Sequence, residues 1–328
     1  MADAAAAAVL VVLAASVSTE AGAADGFITW DDFSIPPAAA AKAATRGVPE
    51  GAAGGDRGGV KARARHDGLE TTIVVAQDGT GHSRTVQGAV DLVPAGNGRR
   101  VKILVRPGVY RCYSAPAAPP GAVGQQAVAL RLSGDKTMLY RCRILGTQDT
   151  LFDNIGRHYF YNCDIQGSID FIFGNARSLY QRCTRHRCCS FLVLNVPTKL
   201  QGCTLHAVAM SYGAIAASQR SSPAEDSGFS FVGCRLTGSG MLYLGRAWGR
   251  YARVVYSYCD LSGIVVPQGW SDWGDRSRTK TVLFGEYSCK GPGASTRQRV
   301  PWSRALTYEE ARPFLGRSFI NGEQWLRL

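Results

Sequence analysis

Four segments of the 328-residue chain share one pattern: Cys142-Arg-Ile144-Leu-Gly146, Cys163-Asp-Ile165-Gln-Gly167, Cys234-Arg-Leu236-Thr-Gly238 and Cys259-Asp-Leu261-Ser-Gly263. An aromatic residue precedes each, at Tyr140, Tyr161, Phe231 and Tyr256. Neighbours within the two pairs lie 21 and 25 residues apart. Short strands and glycine corners at such a period specify a solenoid, because one repeat cannot bury its apolar face without the next. No helical pattern separates the repeats, so leucine-rich and ankyrin arrays fit poorly. An all-β parallel β-helix fits best. A β-sandwich with chance Cys and Gly coincidences is the alternative, and the four-position match weighs against it.

The same register places chemistry. Asp149 follows Cys142 by seven residues, as Asp170 follows Cys163, so the two carboxylates occupy equivalent positions on successive coils. Stacked strands lie about 4.8 Å apart. Two carboxylates that close do not both ionise freely, so one is expected to hold its proton. The pair would supply one anionic nucleophile or base and one acid. Gln148 beside Asp149, and Gln126 one coil earlier, are amide donors suited to an oxyanion. Arg246, in Leu244-Gly-Arg-Ala-Trp248, is the candidate to orient the ionised acid. Phe173, Trp248 and Trp270 are expected to line a carbohydrate groove beside the acids. Lone solenoid Asp and Gln residues more often cap backbone. Gln148-Asp149 followed one coil later by Asp170-Phe-Ile-Phe-Gly174 favours function. Cys142 and Cys163 share a register, so a disulfide between them is expected.

The flanks carry further signals. Residues 4–16 are an apolar run of h-region length, followed by Ala21-Gly22-Ala23, and 1–23 read as a secretory signal peptide. Asp3 and the absence of a base before Lys42 depart from the usual n-region. Residues 24–69 read as a low-complexity leader, Ala/Gly/Pro-rich from residue 36, and 70–328 as the solenoid domain. Strands are expected over 72–76 and 101–105. Thr85 should open a short helix over 86–92, and Thr307-Tyr-Glu-Glu310 is a capping box for another near the C-terminus. No run of 18 or more apolar residues follows residue 25, so no membrane helix is expected there. The formal charge of +12 would become +14 on loss of 1–23, which points to an acidic partner. The basic residues are dispersed, so nucleic acid is a poor candidate. No Cys/His cluster has zinc spacing.

Gln126-Ala-Val-Ala-Leu-Arg131, Gly146-Thr-Gln-Asp-Thr-Leu151, Gly156-Arg-His-Tyr-Phe160, Asp170-Phe-Ile-Phe-Gly174 and Leu244-Gly-Arg-Ala-Trp248 resemble the successive signatures of plant pectinesterases (pectin methylesterases). The resemblance runs from about Thr72 to Trp325. It implies a right-handed parallel β-helix that hydrolyses the methyl esters of homogalacturonan in the cell wall. It also implies roles: Asp170 as nucleophile, Asp149 as acid and then base, Gln126 and Gln148 as oxyanion donors. Arg246 would fix Asp170, with Trp248 and Phe173 lining the sugar site. No metal or organic cofactor is implied. A secreted monomer is expected, with pectin as partner and proteinaceous pectinesterase inhibitors as further partners. The stretch before Thr72 is shorter than the inhibitor-like pro-domain of many members.

Two departures from the family pattern stand out. Near residues 111–113 about two coils are expected to be missing. Residues 182–201 read as an insertion, either an extra coil or non-family sequence, with the second preferred. Two other functions compete with the esterase: a retaining glycoside hydrolase, whose carboxylates also sit about 5 Å apart, and a catalytically impaired pectin-binding homologue.

Overall fold

The computed structural model describes residues 9–14, 28–29, 66–67, 70–93, 100–106, 108, 110, 126–181 and 203–328. They fall in two compact units, residues 1–110 with 325–328, and residues 111–324.

The first unit contains β1 (Val9–Ala14), β2 (Ile28–Thr29), β3 (His66–Asp67), β4 (Glu70–Val75), α1 (Val86–Asp91) and β5 (Arg100–Val105). β4 and β5 run parallel, with Ile73 opposite Ile103. β1 lies antiparallel against β5, β3 antiparallel against β4, and residues 326–327 pair with β2. β-branched residues at alternate positions bury one face, with Ile73, Val75, Val101, Ile103 and Val105 meeting Ala89 of α1. Thr85 caps α1 as expected, its hydroxyl accepting from the Gly88 N–H at 3.0 Å.

The second unit is wound coil by coil. β6 (Leu130–Leu132), β7 (Thr137–Tyr140) and β8 (Arg143–Leu145) form one coil. The next is β9 (Leu151–Asp153), β10 (Arg157–Tyr161) and β11 (Asp164–Gly167). β12 (Ile172–Gly174) and β13 (Arg177–Gln181) lead to the long β14 (Thr204–Ser218), then β15 (Gly228–Val232) and the long β16 (Arg235–Arg246). β17 (Arg253–Ser257), β18 (Asp260–Leu261), β19 (Trp270–Ser271), β20 (Leu283–Tyr287) and β21 (Arg304–Ala305) complete it.

Equivalent strands stack in parallel. β7, β10, β13, β15, β17, β20 and β21 make one face. β6, β9 and β12 continue through the second halves of β14 and β16 to β19. β8 and β11 continue through their first halves to β18. This is the parallel β-helix expected from the repeat.

The corner before each repeat cysteine is one residue long. Arg141, Asn162, Gly233, Tyr258 and Ser288 fill it, all at positive φ. The repeat glycine answers to close approach: a Cβ on Gly167 would lie 2.1 Å from the Phe171 Cβ. The expected insertion at 182–201 lies outside the described residues, between β13 and Cys203 in the chain. β14 pairs directly with β11, and β13 directly with β10 and β15, so among the described strands no further coil intervenes.

Two ladders fill the interior. Phe160, Tyr180, Phe231 and Tyr256 stack on successive coils with ring centroids 4.4, 4.7 and 4.5 Å apart. Beside them run the cysteines. Cys203 and Cys289 join the four repeat members, although each breaks the pattern at one position: Ala207 replaces the glycine after Cys203, and Gly291 the aliphatic residue after Cys289.

The expected Cys142–Cys163 disulfide is not formed, and both residues are thiols. In-register parallel strands hold successive Cβ atoms about 4.8 Å apart and pointing the same way, whereas a disulfide brings them to about 3.8 Å. The Cys163 and Cys259 sulfurs face backbone one coil back instead, at 3.5 Å from the Leu139 carbonyl and 3.3 Å from that of Phe231, and Cys142 faces the Tyr140 carbonyl of its own coil at 3.6 Å. Burial pushes the Cys163 thiol well above its ordinary value.

The C-terminal segment covers the first face. Thr307 and Glu310 form the expected capping box of α2 (Tyr308–Ala311). Beyond it, the Phe314 carbonyl accepts from Ser230 at 2.6 Å, and Phe319 packs under the Arg177 guanidinium.

Candidate active site

The residues between the third and second faces carry the site. Gln148 bridges to Ile169 in parallel, which sets Asp149 and Asp170 at the same corner of adjacent coils. Both take left-handed backbone, at φ 52° and 45°. Asp tolerates that region better than most residues, but it stores strain of the order of 1 kcal/mol at each site. The Asp149 N–H donates to the Ile169 carbonyl at 3.1 Å, holding the corner in place.

The two carboxyls differ in surroundings. Asp170 is 6% exposed. Arg246 donates from Nε to its Oδ1 at 2.9 Å and from a terminal nitrogen to its Oδ2, a forked ion pair. Burial pushes the Asp170 carboxyl up, and the guanidinium works against that. Among the described residues Asp149 has no such partner. Burial, reinforced by the neighbouring Asp170 charge and opposed by Arg246, pushes it up to about 6. A proton shared by the pair therefore favours Asp149.

Arg246 reaches Asp170 along a ladder of side chains. Arg131, Phe152, Phe173, Ala217, Arg246 and Ser271 occupy one register position on successive coils. The Phe152 and Phe173 rings are parallel at 4.6 Å, and Trp248 leans on Phe173 at 6.1 Å. All three aromatics are half-buried, so they wall an open face rather than fill a core. Gln148 lies at the same corner. Its Oε1 is buried and without a hydrogen-bond partner among the described residues, so the amide is not spent on structure. Gln126 is exposed and stands next to Ala127, whose N–H donates to the Gln148 carbonyl at 3.4 Å.

Trp270 departs from expectation. It is 1% exposed, stacks on Phe284 at 4.6 Å and donates its indole N–H to the buried Glu286 at 3.2 Å. It is a core residue, seated where Gly245 of the neighbouring coil leaves room. Trp273, not singled out from the sequence, stands where Trp270 was expected: its ring lies under the Arg246 guanidinium at 4.1 Å. Phe152 and Arg278 are further members not singled out from the sequence. Arg278 donates to the Ala247 and Trp248 carbonyls at 2.5 and 2.6 Å, bracing the turn that carries Arg246. Its only sequence signal is a basic residue in a basic run.

This arrangement offers a buried, arginine-paired carboxylate, a second carboxyl one coil away whose pKa is pushed up to about 6, free amides and an aromatic wall. It suits attack on an acyl centre with proton delivery to a leaving group. Among the described residues no cluster of three or more His, Cys, Asp or Glu side chains could hold a metal ion.

A family model described as Pectinesterase matches residues 117–323. The chain is 44% identical to pectinesterase QRT1 of Arabidopsis thaliana, over 79% of this chain and 80% of that one. It is 33% identical to Arabidopsis pectinesterase 31, over 78% and 95%. Coverage of other Arabidopsis relatives falls to 51% of their length. Among solved structures, a pectin methylesterase from carrot superposes with a TM-score of 0.63 at 26% identity, over 80% of this chain and 96% of that one.

Proposed function

The chain belongs to the pectinesterase family, carboxylic ester hydrolases that de-esterify pectin, and we propose that Asp170 is its nucleophile and Asp149 its acid and base. The Asp170 carboxylate adds to the carbonyl carbon of a methyl galacturonate ester. Negative charge collects on the carbonyl oxygen, where the Gln148 and Gln126 amides donate. The intermediate collapses as Asp149 gives its proton to the departing methanol, leaving an acyl-Asp170 anhydride. Asp149, now anionic, takes a proton from water, and the resulting hydroxide attacks the acyl carbon. That step breaks the anhydride, restores the Asp170 carboxylate and frees galacturonic acid, whose proton passes to solvent, while Asp149 keeps the proton it took from water. Phe152, Phe173, Trp248 and Trp273 would position the sugar rings.

The observation that carries this reading is the unequal pair: Asp170 forked to Arg246, Asp149 pushed up to about 6 on the adjacent coil. Two ionisable groups whose surroundings separate them divide the acid and nucleophile roles. Secretion to the cell wall, a monomeric state and regulation by proteinaceous inhibitors belong to the same proposal. They draw on the family resemblance and on the apolar run at 4–16, most of which lies outside the described residues.

The test is methanol release from esterified pectin, with reducing ends counted in parallel. Methanol with constant reducing ends, abolished in Asp170→Asn, is the expected result. Chain scission without methanol identifies a glycosidase. No methanol from protein with a β-rich circular dichroism spectrum identifies a binding homologue.

A further inference from the structure

Two arginines stand on the aromatic ladder, and they are not equivalent. Arg246 is committed: its guanidinium forks onto Asp170 and rests on Trp273. Arg131 stands at the opposite end, in register with Phe152. Its guanidinium lies over the Phe152 ring at 5.1 Å, and the residue is exposed. It makes no hydrogen bond or ion pair among the described residues. The cation therefore presents its edge to solvent on the face that holds the reacting carboxylates, two coils from the level of Asp170, or roughly 10 Å at strand spacing.

The reaction gives that position a meaning. Each turnover converts a neutral ester into a carboxylate on the same polymer. A planar guanidinium, pinned by an aromatic ring and with its fork free, is the side chain best matched to a carboxylate. We propose that Arg131 is a specificity residue that binds the free carboxylate of an already de-esterified uronate unit, near the ester being cleaved. The proposal rests on the esterase reading of the groove.

A binding experiment separates the two claims. Asp170→Asn provides a full-length background in which bound oligosaccharide is not consumed. Affinities for un-esterified and fully methyl-esterified galacturonate hexamers are measured at low and high salt, with Arg131 intact, Arg131→Gln and Arg131→Lys. Arg131→Gln should lower the affinity for the acidic hexamer about fivefold more than for the ester, the scale of a partly exposed ion pair. Arg131→Lys should recover part of that loss, and salt should shrink it. Equal losses for both hexamers, or no loss for the acid, overturn the proposal. Absence of methanol release from the wild-type chain overturns the esterase reading instead, and leaves the binding preference readable. A Phe152→Leu variant with Arg131 in place should weaken the acid preference by freeing the guanidinium. If it does not, the ring is not what orients Arg131.

Discussion

Two ring stacks in this solenoid have nearly the same spacing and should have opposite consequences when broken. Phe231 stacks between Tyr180 and Tyr256 at 4.7 and 4.5 Å, and all three are 0% exposed. Phe152 stacks on Phe173 at 4.6 Å, but on the open face. Phe231→Ala leaves a void whose walls are two rings fixed by strand register, so collapse is limited. The cost belongs near the upper part of the usual range, about 4 kcal/mol. For a unit of roughly 200 residues that lowers Tm by about 10 °C. Phe152→Ala forfeits one partly solvated ring contact and the Arg131 cation contact, about 1 kcal/mol together, or some 3 °C. Its loss should fall on kcat/KM instead, by tenfold or more, because the groove wall is gone. Thermal unfolding followed by near-ultraviolet circular dichroism, paired with methanol release, reads both. Equal drops in Tm, or full activity in Phe152→Ala, would refute the division into interior ladder and groove ladder.

Asp149→Asn should stabilise the fold while abolishing turnover. A carboxyl raised from 3.8 to about 6 in the folded state loses stability as pH rises through that window. The amide should therefore gain about 1 kcal/mol at pH 7.5, after allowance for the solvent that reaches it, and little at pH 4. Urea midpoints at the two pH values check it. The buried thiols Cys142, Cys163, Cys203, Cys234 and Cys259 should label with a thiol reagent only after denaturation, and mass spectrometry should find Cys142 and Cys163 unlinked. Inside the coil, Asp153 bonds His158 and Tyr180, each at 2.5 Å, with all three 0% exposed. The His158 ring also faces the Gly134 carbonyl at 2.8 Å, so both nitrogens donate. Burial opposes its charge, yet Asp153 holds its pKa above the ordinary value. Asp153→Asn should cost about 3–5 kcal/mol in urea unfolding, since it strands a buried cation.

The repeat made the fold and the paired acids legible because a solenoid converts spacing into contact. Cys142 to Asp149 and Cys163 to Asp170 are equal intervals, and equal intervals on stacked coils mean the same corner. Side-chain direction was less legible. Trp270 and Trp273 are three residues apart beside a two-residue strand, too short to show an alternating pattern. Which of them faces the groove depends on Gly245, one coil away, whose missing side chain makes room for Trp270. Nothing local to the tryptophans carries that information. The cysteines illustrate the converse limit: register brought them together, but parallel stacking kept their Cβ atoms too far apart to bond.

Stacking also explains how identical corners come to hold unequal acids. The coil repeat alone would give Asp149 and Asp170 the same surroundings. The difference enters from farther along the same ladder, where Phe173 is followed by Ala217 and then by Arg246. A small residue at 217 leaves the arginine a path back to Asp170. Trp273 beneath the guanidinium and Arg278 behind the turn then fix its direction. Asp149, one coil farther away, receives the arginine's field without its hydrogen bonds. The repeat thus supplies proximity, and a break in the repeat supplies the asymmetry that acid–nucleophile chemistry requires.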